Sequence, residues 1–133
     1  MELITRRRRE AHEYYLELLA GLDAKELIRI PVIPFGCESN YHLFRINVGD
    51  AESRNVLMSF LSKRGIQTTF HYVPLHSSPM GLRCKTVGDL RNTDKVAATL
   101  IRLPFFVDIT RESQRRVARE IYAFFGEALD EAL

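Results

Sequence analysis

The sequence predicts an α+β domain in which a small mixed or antiparallel sheet has helices packed mainly on one face. The chain alternates in the order helix, strand, helix, strand, helix, strand, helix, and this order favours a layer of helices on a sheet. Its 133 residues, 46% of them hydrophobic, suffice for one compact domain with its own core. We therefore expect a single domain over residues 1–133, with the strand order left open.

The first predicted element is a helix from Glu2 to about Leu22. Its apolar side chains recur at helical spacing and would form one buried stripe, made of Ile4, Ala11, Tyr15, Leu18 and Leu19. The arginine run Arg6–Arg9 points around all sides of such a helix, so it forms no single binding stripe. Glu10 and Glu13 follow at the spacing of helical ion pairs. We interpret the run as a solvated helix start, and a phosphate-binding role is the alternative.

A connector over Asp23–Asn40 precedes the clearest strand of the sequence, Tyr41–Val48. Pro31 and Pro34 interrupt the strand-like residues of the connector, so any short strand there belongs at a sheet edge. The clear strand alternates between an apolar face, His42, Phe44, Ile46 and Val48, and a mixed face, Tyr41, Leu43, Arg45 and Asn47. We expect the apolar face to meet helices and the mixed face to lie toward a partner domain.

The next predicted element is a helix over Ala51–Lys63. Asp50 is a good N-cap for it, and Gly65 suits the left-handed position that follows a helix. Its buried stripe would be Val56, Leu57, Phe60 and Leu61. A strand over Ile66–Tyr72 begins directly afterwards, because it is rich in residues that favour strands.

The C-terminal part begins with a surface loop over Ser77–Arg91. A short helix follows, with Val96, Ala97, Leu100 and Ile101 facing inward. It is predicted to end at Pro104, beside a short edge strand over Leu103–Val107. Thr110 would cap the last helix, whose buried side is predicted to carry Val117, Ile121, Tyr122, Phe124 and Phe125.

One stretch combines a strand end with side chains suited to binding, and it spans Gly65–Met80. Pro74 lacks a backbone N–H and fixes its own φ, so the preceding strand must end before it. His71, Tyr72 and His76 therefore lie where a sheet edge gives way to an ordered loop. Binding and catalytic residues are often placed on such loops, so these three residues are the candidate site.

Several other kinds of site have no support in the sequence. His71 and His76 lie five residues apart across Pro74, so no helix face aligns them as in a zinc-binding HExxH motif. Cys37 and Cys84 lack CxxC spacing, so no metal site is expected. We find no nucleophile elbow, no carboxylate pair suited to glycoside hydrolysis and no phosphate-binding glycine loop.

Charge and cysteine content give an expectation about environment and partners. A net charge of +2 provides no large field for nucleic acid. No apolar run approaches the roughly 20 residues of a membrane span, and the N-terminus lacks the apolar region of a secretory signal. The cysteines are interpreted as reduced thiols. We expect a cytoplasmic protein without nucleic-acid or membrane partners.

Four segments resemble, in the same order, the DegT/DnrJ family of pyridoxal-phosphate-dependent sugar aminotransferases. They are RRRREAHEYYLELL, NYHLFRINV, GIQTTFHYVPLHSSPMG and LIRLPFFVDITRESQRRV, at residues 6–19, 40–48, 65–81 and 100–117. The resemblance covers nearly the whole chain but only the C-terminal part of such an enzyme. It implies the small domain of a fold-type I aminotransferase, with the large cofactor-binding domain absent from this chain.

The resemblance also implies a parent reaction, in which an amino group passes from an amino acid, commonly glutamate, to a nucleotide-linked keto sugar. His71, Tyr72 and His76 would bind the nucleotide sugar at the mouth of the cleft. The implied partners are the large pyridoxal-phosphate-binding domain and a further copy in a homo-oligomer. No catalytic residue is carried over, because no lysine lies in anything like the family's lysine segment; the lysines are Lys25, Lys63, Lys85 and Lys95. We therefore expect no pyridoxal phosphate on this chain alone, and no activity.

Other interpretations remain open at this point. The chain could be a non-catalytic dimerisation or ligand-binding module, or one half of a split enzyme. It could also be an unrelated α+β enzyme that uses its histidines. If a large domain normally covers it, we expect an exposed apolar or mixed surface that includes Tyr41, Leu43 and the outer side of the first helix.

Overall fold

The computed structural model describes residues 2–130, so residue 1 and residues 131–133 of the predicted domain lie outside it. Within this range the chain forms four α-helices and a two-stranded sheet. The elements are α1 (Glu2–Ala24), β1 (Arg45–Asn47), α2 (Ala51–Lys63), α3 (Arg91–Thr99), β2 (Leu100–Arg102) and α4 (Arg111–Phe124). Two short 3₁₀ turns, Leu75–Ser77 and Gly81–Arg83, lie between α2 and α3. The predicted α+β class is confirmed.

The sheet pairs β1 and β2 in antiparallel register, with Ile46 opposite Ile101 and Arg45 opposite Arg102. Both isoleucines are fully buried. Since side chains alternate along a strand, the arginines lie on the other face. A single bridge between Thr69 and Arg102 adds a third extended segment beside β2.

One hydrophobic core joins α1, α2 and α4 to the inner face of the sheet. Its fully buried members include Tyr15, Leu18, Leu19, Leu22, Phe44, Ile46, Leu57, Leu61, Ile101 and Ile121. The helices present these residues at helical spacing, and burial of each large apolar side chain contributes about 1.5–3 kcal/mol relative to exposure. This core fixes the position of the sheet.

Local signals predicted the helix boundaries well. The Asp50 side chain accepts a hydrogen bond from the Ser53 N–H at 2.7 Å and caps α2. Thr110 caps α4 in the same way, through the Ser113 N–H at 3.1 Å. Gly65 has a φ of +71°, so the predicted left-handed position after α2 is confirmed.

The strand predictions were less accurate. The expected strand Ile66–Tyr72 is reduced to the bridge at Thr69. The expected strand Leu103–Val107 is wrong, because the sheet pairs Leu100–Arg102 instead. The preceding helix therefore ends at Thr99, whose carbonyl accepts a hydrogen bond from the Val48 N–H at 3.1 Å. Pairing with β1 ends this helix before Pro104 does.

The alternation predicted for Tyr41–Val48 holds only in part. Phe44, Ile46 and Val48 are buried as predicted, whereas His42 is exposed. Tyr41 was expected on the partner-facing surface, but it is only 9% exposed. Its φ of 49° turns the chain out of strand geometry, so the period of two begins after it. Three residues predicted to be buried on the helices, Ile4, Val56 and Val96, are also exposed.

Candidate functional site

The segment from Phe70 to Cys84 is an exposed loop with an ordered internal structure, here named the site loop. The Ser78 hydroxyl donates to the Leu75 carbonyl at 2.7 Å and accepts from the Gly81 N–H at 3.0 Å. A Cβ at Gly81 would lie 1.6 Å from the Leu75 carbonyl oxygen. Only glycine therefore allows the two 3₁₀ turns to lie this close together.

Tyr72 has an unusual backbone at the start of the site loop. Its φ is 59°, a left-handed value that is uncommon for a residue other than glycine. Its side chain is 68% exposed, so burial of the ring does not compensate for this conformation. The Tyr72 ring lies 4.6 Å from the imidazole of His71, between ring centroids. Strained residues often cluster at binding sites, which supports this pair as the centre of the site.

His71 is half-buried, and its Nδ1 atom is buried without a hydrogen-bond partner. Burial is the main cause that lowers the pKa of His71 below its ordinary value of 6.5. The charges of Arg102, His42 and Arg45 lower this pKa further. The imidazole is therefore neutral at pH 7, and in this state one ring nitrogen donates a hydrogen bond and the other accepts one.

His76 occupies a different environment from His71. Its Nε2 atom lies 2.8 Å from Oδ1 of Asp94, which joins the site loop to the first turn of α3. The structure thus brings His71 and Tyr72 together, whereas Nε2 of His76 is occupied by its contact with Asp94. Asp94 was not predicted, because only the fold brings residues 18 positions apart into contact.

Two grooves flank the segment Tyr72–Pro74. One has a volume of about 540 Å³ and is mostly apolar, lined by His71, Tyr72, Val73, Pro74, Leu75, Asn92, Thr93, Val96, Ala97 and Leu100. The other, of about 390 Å³, contains Arg54 and Asp94. Small-molecule sites are typically concave and largely apolar, with a few polar groups, so the larger groove is the better candidate.

Exposed apolar side chains concentrate on the site loop and on the connector. Leu75 is 86% exposed, and Phe70, Val73, Met80 and Leu82 are also exposed. A second group consists of Val32, Ile33 and Phe35. An exposed apolar surface was expected around Tyr41, Leu43 and the outer side of the first helix. Tyr41 is buried and Leu43 is half-buried, whereas Leu3 and Ile4 of α1 are exposed. Contiguous apolar surface marks an interaction site.

The lysines do not fit a pyridoxal phosphate cofactor. Such a lysine needs a protected site where its amine is deprotonated, but all of them are exposed: Lys25, Lys63, Lys85 and Lys95. Lys25 forms an ion pair with Glu127. No group of three potential metal ligands occurs within residues 2–130, and Cys37 and Cys84 are free and exposed. In the same range, no helix is long and apolar enough to cross a membrane.

The fold is shared with much longer proteins of known structure. DesV of S. venezuelae, solved in complex with a ketimine intermediate, is 31% identical with a TM-score of 0.79, and the match covers 95% of this chain and 33% of DesV. NtdA of Bacillus subtilis, solved with bound cofactor PMP, is 26% identical with a TM-score of 0.77, covering 91% of this chain and 28% of NtdA. The chain therefore has the fold of about one third of each of these proteins.

Residues 1–122 match the DegT/DnrJ/EryC1/StrS aminotransferase family, and the chain belongs to this family. A pleiotropic regulatory protein of Geobacillus stearothermophilus is 33% identical over 97 residues, which are 71% of this chain. The chain spans only 26% of the length of that relative.

Proposed function

We propose that this chain is the C-terminal small domain of a pyridoxal-phosphate-dependent nucleotide-sugar aminotransferase. The observation that carries the proposal is that the chain has residues suited to binding a substrate but no lysine suited to holding the cofactor. The site loop offers a neutral imidazole and a strained tyrosine beside an apolar groove, but every lysine is exposed and unsuited to the cofactor. A large domain, in the same polypeptide or in a partner chain, would supply the lysine and the cofactor.

The parent reaction is amino transfer from an amino acid, most simply glutamate, to a dTDP-4-keto-6-deoxy sugar. Within the family, the sequence resembles dTDP-4-amino-4,6-dideoxygalactose transaminase, which acts on such a sugar. Pyridoxal phosphate supplies the group that carries the amino nitrogen between the two substrates. The pathway would be cytoplasmic synthesis of deoxysugars or surface polysaccharide, and the enzyme would be a homo-oligomer.

The residues of this chain would bind and orient the nucleotide sugar. The neutral imidazole of His71 would bind a sugar hydroxyl or a phosphate oxygen, and the exposed Tyr72 hydroxyl would bind beside it. His76 would act through its bond to Asp94, which holds the site loop against α3. The exposed side chains of the loop, with Leu75 foremost, would pack against the large domain.

A second candidate function is a non-catalytic dimerisation or ligand-binding module. The exposure of every lysine favours it, since a module needs no cofactor.

Reduction with borohydride in the presence of pyridoxal phosphate should label the isolated chain weakly and without preference. Stoichiometric labelling of one lysine would overturn our account of the missing large domain.

Complementation tests the proposal directly. The chain is produced together with the large domain of a DegT/DnrJ family enzyme, and transfer from glutamate to a nucleotide-linked keto sugar is measured. We expect activity with both parts and none with either alone. As a control, Leu75→Asp places a charge on the site loop and should abolish association while the fold persists. Association without turnover favours the module, and a folded chain that neither associates nor restores activity contradicts the proposal.

A further inference from the structure

The outer face of the sheet carries two arginines directly opposite each other. The register pairs Arg45 with Arg102, a position where cross-strand Cβ atoms lie about 4.5–5.5 Å apart and like charges destabilise the pair. Within residues 2–130 neither arginine forms an ion pair with a carboxylate. The Arg45 Nη1 donates instead to Oδ1 of Asn47 at 2.6 Å. Two half-buried guanidinium groups thus lack a counterion.

His71 lies beside this pair. The bridge between Thr69 and Arg102 places the start of the site loop alongside β2. His71 therefore lies near the arginines, and it also lines the apolar groove. Burial is the main cause that lowers the pKa of His71, and the charges of Arg102, His42 and Arg45 lower it further. Its Nδ1 atom is buried without a partner. Within residues 2–130, the two arginines therefore lie close enough to His71 to act on it, and no carboxylate forms an ion pair with any of the three.

Two of these three residues line concave surfaces. Arg45 lines a groove of about 460 Å³ together with His42. His71 lines the apolar groove of about 540 Å³ together with Leu100. A ligand that reaches this face can therefore combine an anionic group with a less polar body.

We infer that Arg45, Arg102 and His71 form a binding site for an anionic oxygen group, a phosphate or a carboxylate, on the outer face of the sheet. Guanidinium groups bind both anions through paired N–H donors, and His71 adds a hydrogen bond at the boundary with the apolar groove. The inference rests on the proposed function and deepens it. The anion would be either the diphosphate of the nucleotide sugar or the carboxylates of the amino donor.

Titration of the full chain with inorganic pyrophosphate and, separately, with glutarate tests the site. Binding is followed by calorimetry and by the NMR signals of the His71 ring and the arginine side chains at low salt. We expect saturable binding that shifts these signals. Binding of pyrophosphate assigns the diphosphate, binding of glutarate assigns the donor, and either result supports the site. Failure of both anions to bind overturns it.

Matched variants locate the binding. Arg45→Gln and Arg102→Gln should each weaken it by about tenfold to a hundredfold, because each removes charge-assisted hydrogen bonds. Arg119→Gln makes the same change of charge on the exposed side of α4 and should leave binding unchanged. Arg102→Lys keeps the charge but not the paired donors and should restore binding only in part. Equal weakening by Arg119→Gln would reduce the effect to net charge and overturn the site.

The two proposals fail separately. Anion binding is measured on this chain without a cofactor or a partner, whereas complementation requires the large domain. Restored transamination without specific anion binding would overturn only the anionic site. Specific anion binding to a chain that restores no activity would support the site and contradict the aminotransferase proposal.

Discussion

The two faces of the small sheet differ in character, although both are formed by the six residues of β1 and β2. On the inner face Ile46 and Ile101 are fully buried in the core. On the outer face Arg45 and Arg102 occupy a position where like charges oppose each other. One face stabilises the fold, and the other accepts an unfavourable arrangement.

Two histidines of the same residue type also differ in their surroundings. His12 and His71 both have a buried Nδ1 without a hydrogen-bond partner, and burial lowers the pKa of both. His12 is 4% exposed and packs edge-on against the rings of Tyr41 and Phe44. His12 also borders the groove of about 460 Å³, whereas His71 is half-buried and lines the apolar groove. The surroundings place His12 in the core, whereas the binding role of His71 is a prediction.

The largest expected effect concerns the inner face. Ile101→Ala should destabilise the fold by about 2–5 kcal/mol, because it removes buried methyl groups and leaves a cavity. Chemical denaturation measures this change. Val56→Ala, at a position 52% exposed, is the control and should stay within about 0.5 kcal/mol. Equal effects of the two substitutions would contradict the assignment of the inner face.

A smaller effect is expected at the start of α4, which carries Val117 and Ile121 into the core. Thr110→Ala removes the cap of this helix and should cost about 1 kcal/mol in the free energy of unfolding. Thr110→Ser keeps the hydroxyl and should cost less. Anion binding on the outer face should not change with either variant, and a loss there would mean that the two faces are not independent.

Acidification should reveal how the buried His12 contributes to the pH dependence of stability. The folded pKa of His12 lies below its unfolded value of 6.5, so the unfolded state binds more protons as the pH falls below about 6.5. Stability is therefore highest above this pH and falls on acidification. His12→Leu should flatten the dependence of the unfolding free energy on pH, measured by urea denaturation at several pH values. A slope that is unchanged by this substitution would show that His12 does not contribute.

The smallest expected effect on stability concerns the outer face. Arg102→Gln relieves repulsion with Arg45, so the protein should be unchanged or more stable by up to roughly 1 kcal/mol. Thermal denaturation beside Arg119→Gln measures the difference. A clear loss of stability on Arg102→Gln would mean that this arginine supports the fold, and the comparison between the faces would fail.

The sequence correctly predicted the helix ends, which depend on neighbouring residues. Asp50, Thr110 and Gly65 mark helix ends through contacts within a few positions, so local chemistry sufficed. The strands depend on partners far along the chain, such as Thr69 with Arg102, and their positions were mostly mispredicted. The left-handed turn at Tyr41 reversed the expected exposure of that residue, and no local signal indicated it.

The candidate site shows the same division. His71, Tyr72 and His76 could be identified, because a proline and a strand end lie beside them in the sequence. Asp94 and Arg102 could not, since only tertiary structure brings them to the site loop. The assignment of the first three residues to substrate remains a prediction.

The central claim is that His71 binds substrate and is not needed for the fold. It is tested by measuring both kcat/KM for the nucleotide sugar and the Tm in the complemented enzyme. His71→Ala should lower kcat/KM by between a few-fold and about a hundredfold, as expected for one lost hydrogen bond to a neutral or a charged group. Tyr72→Phe should lower it less, because only the hydroxyl is removed. The Tm of both variants should change little, whereas His76→Ala removes the contact with Asp94 and should lower both the Tm and kcat/KM. A lower Tm with unchanged kcat/KM would contradict the claim and make these residues structural.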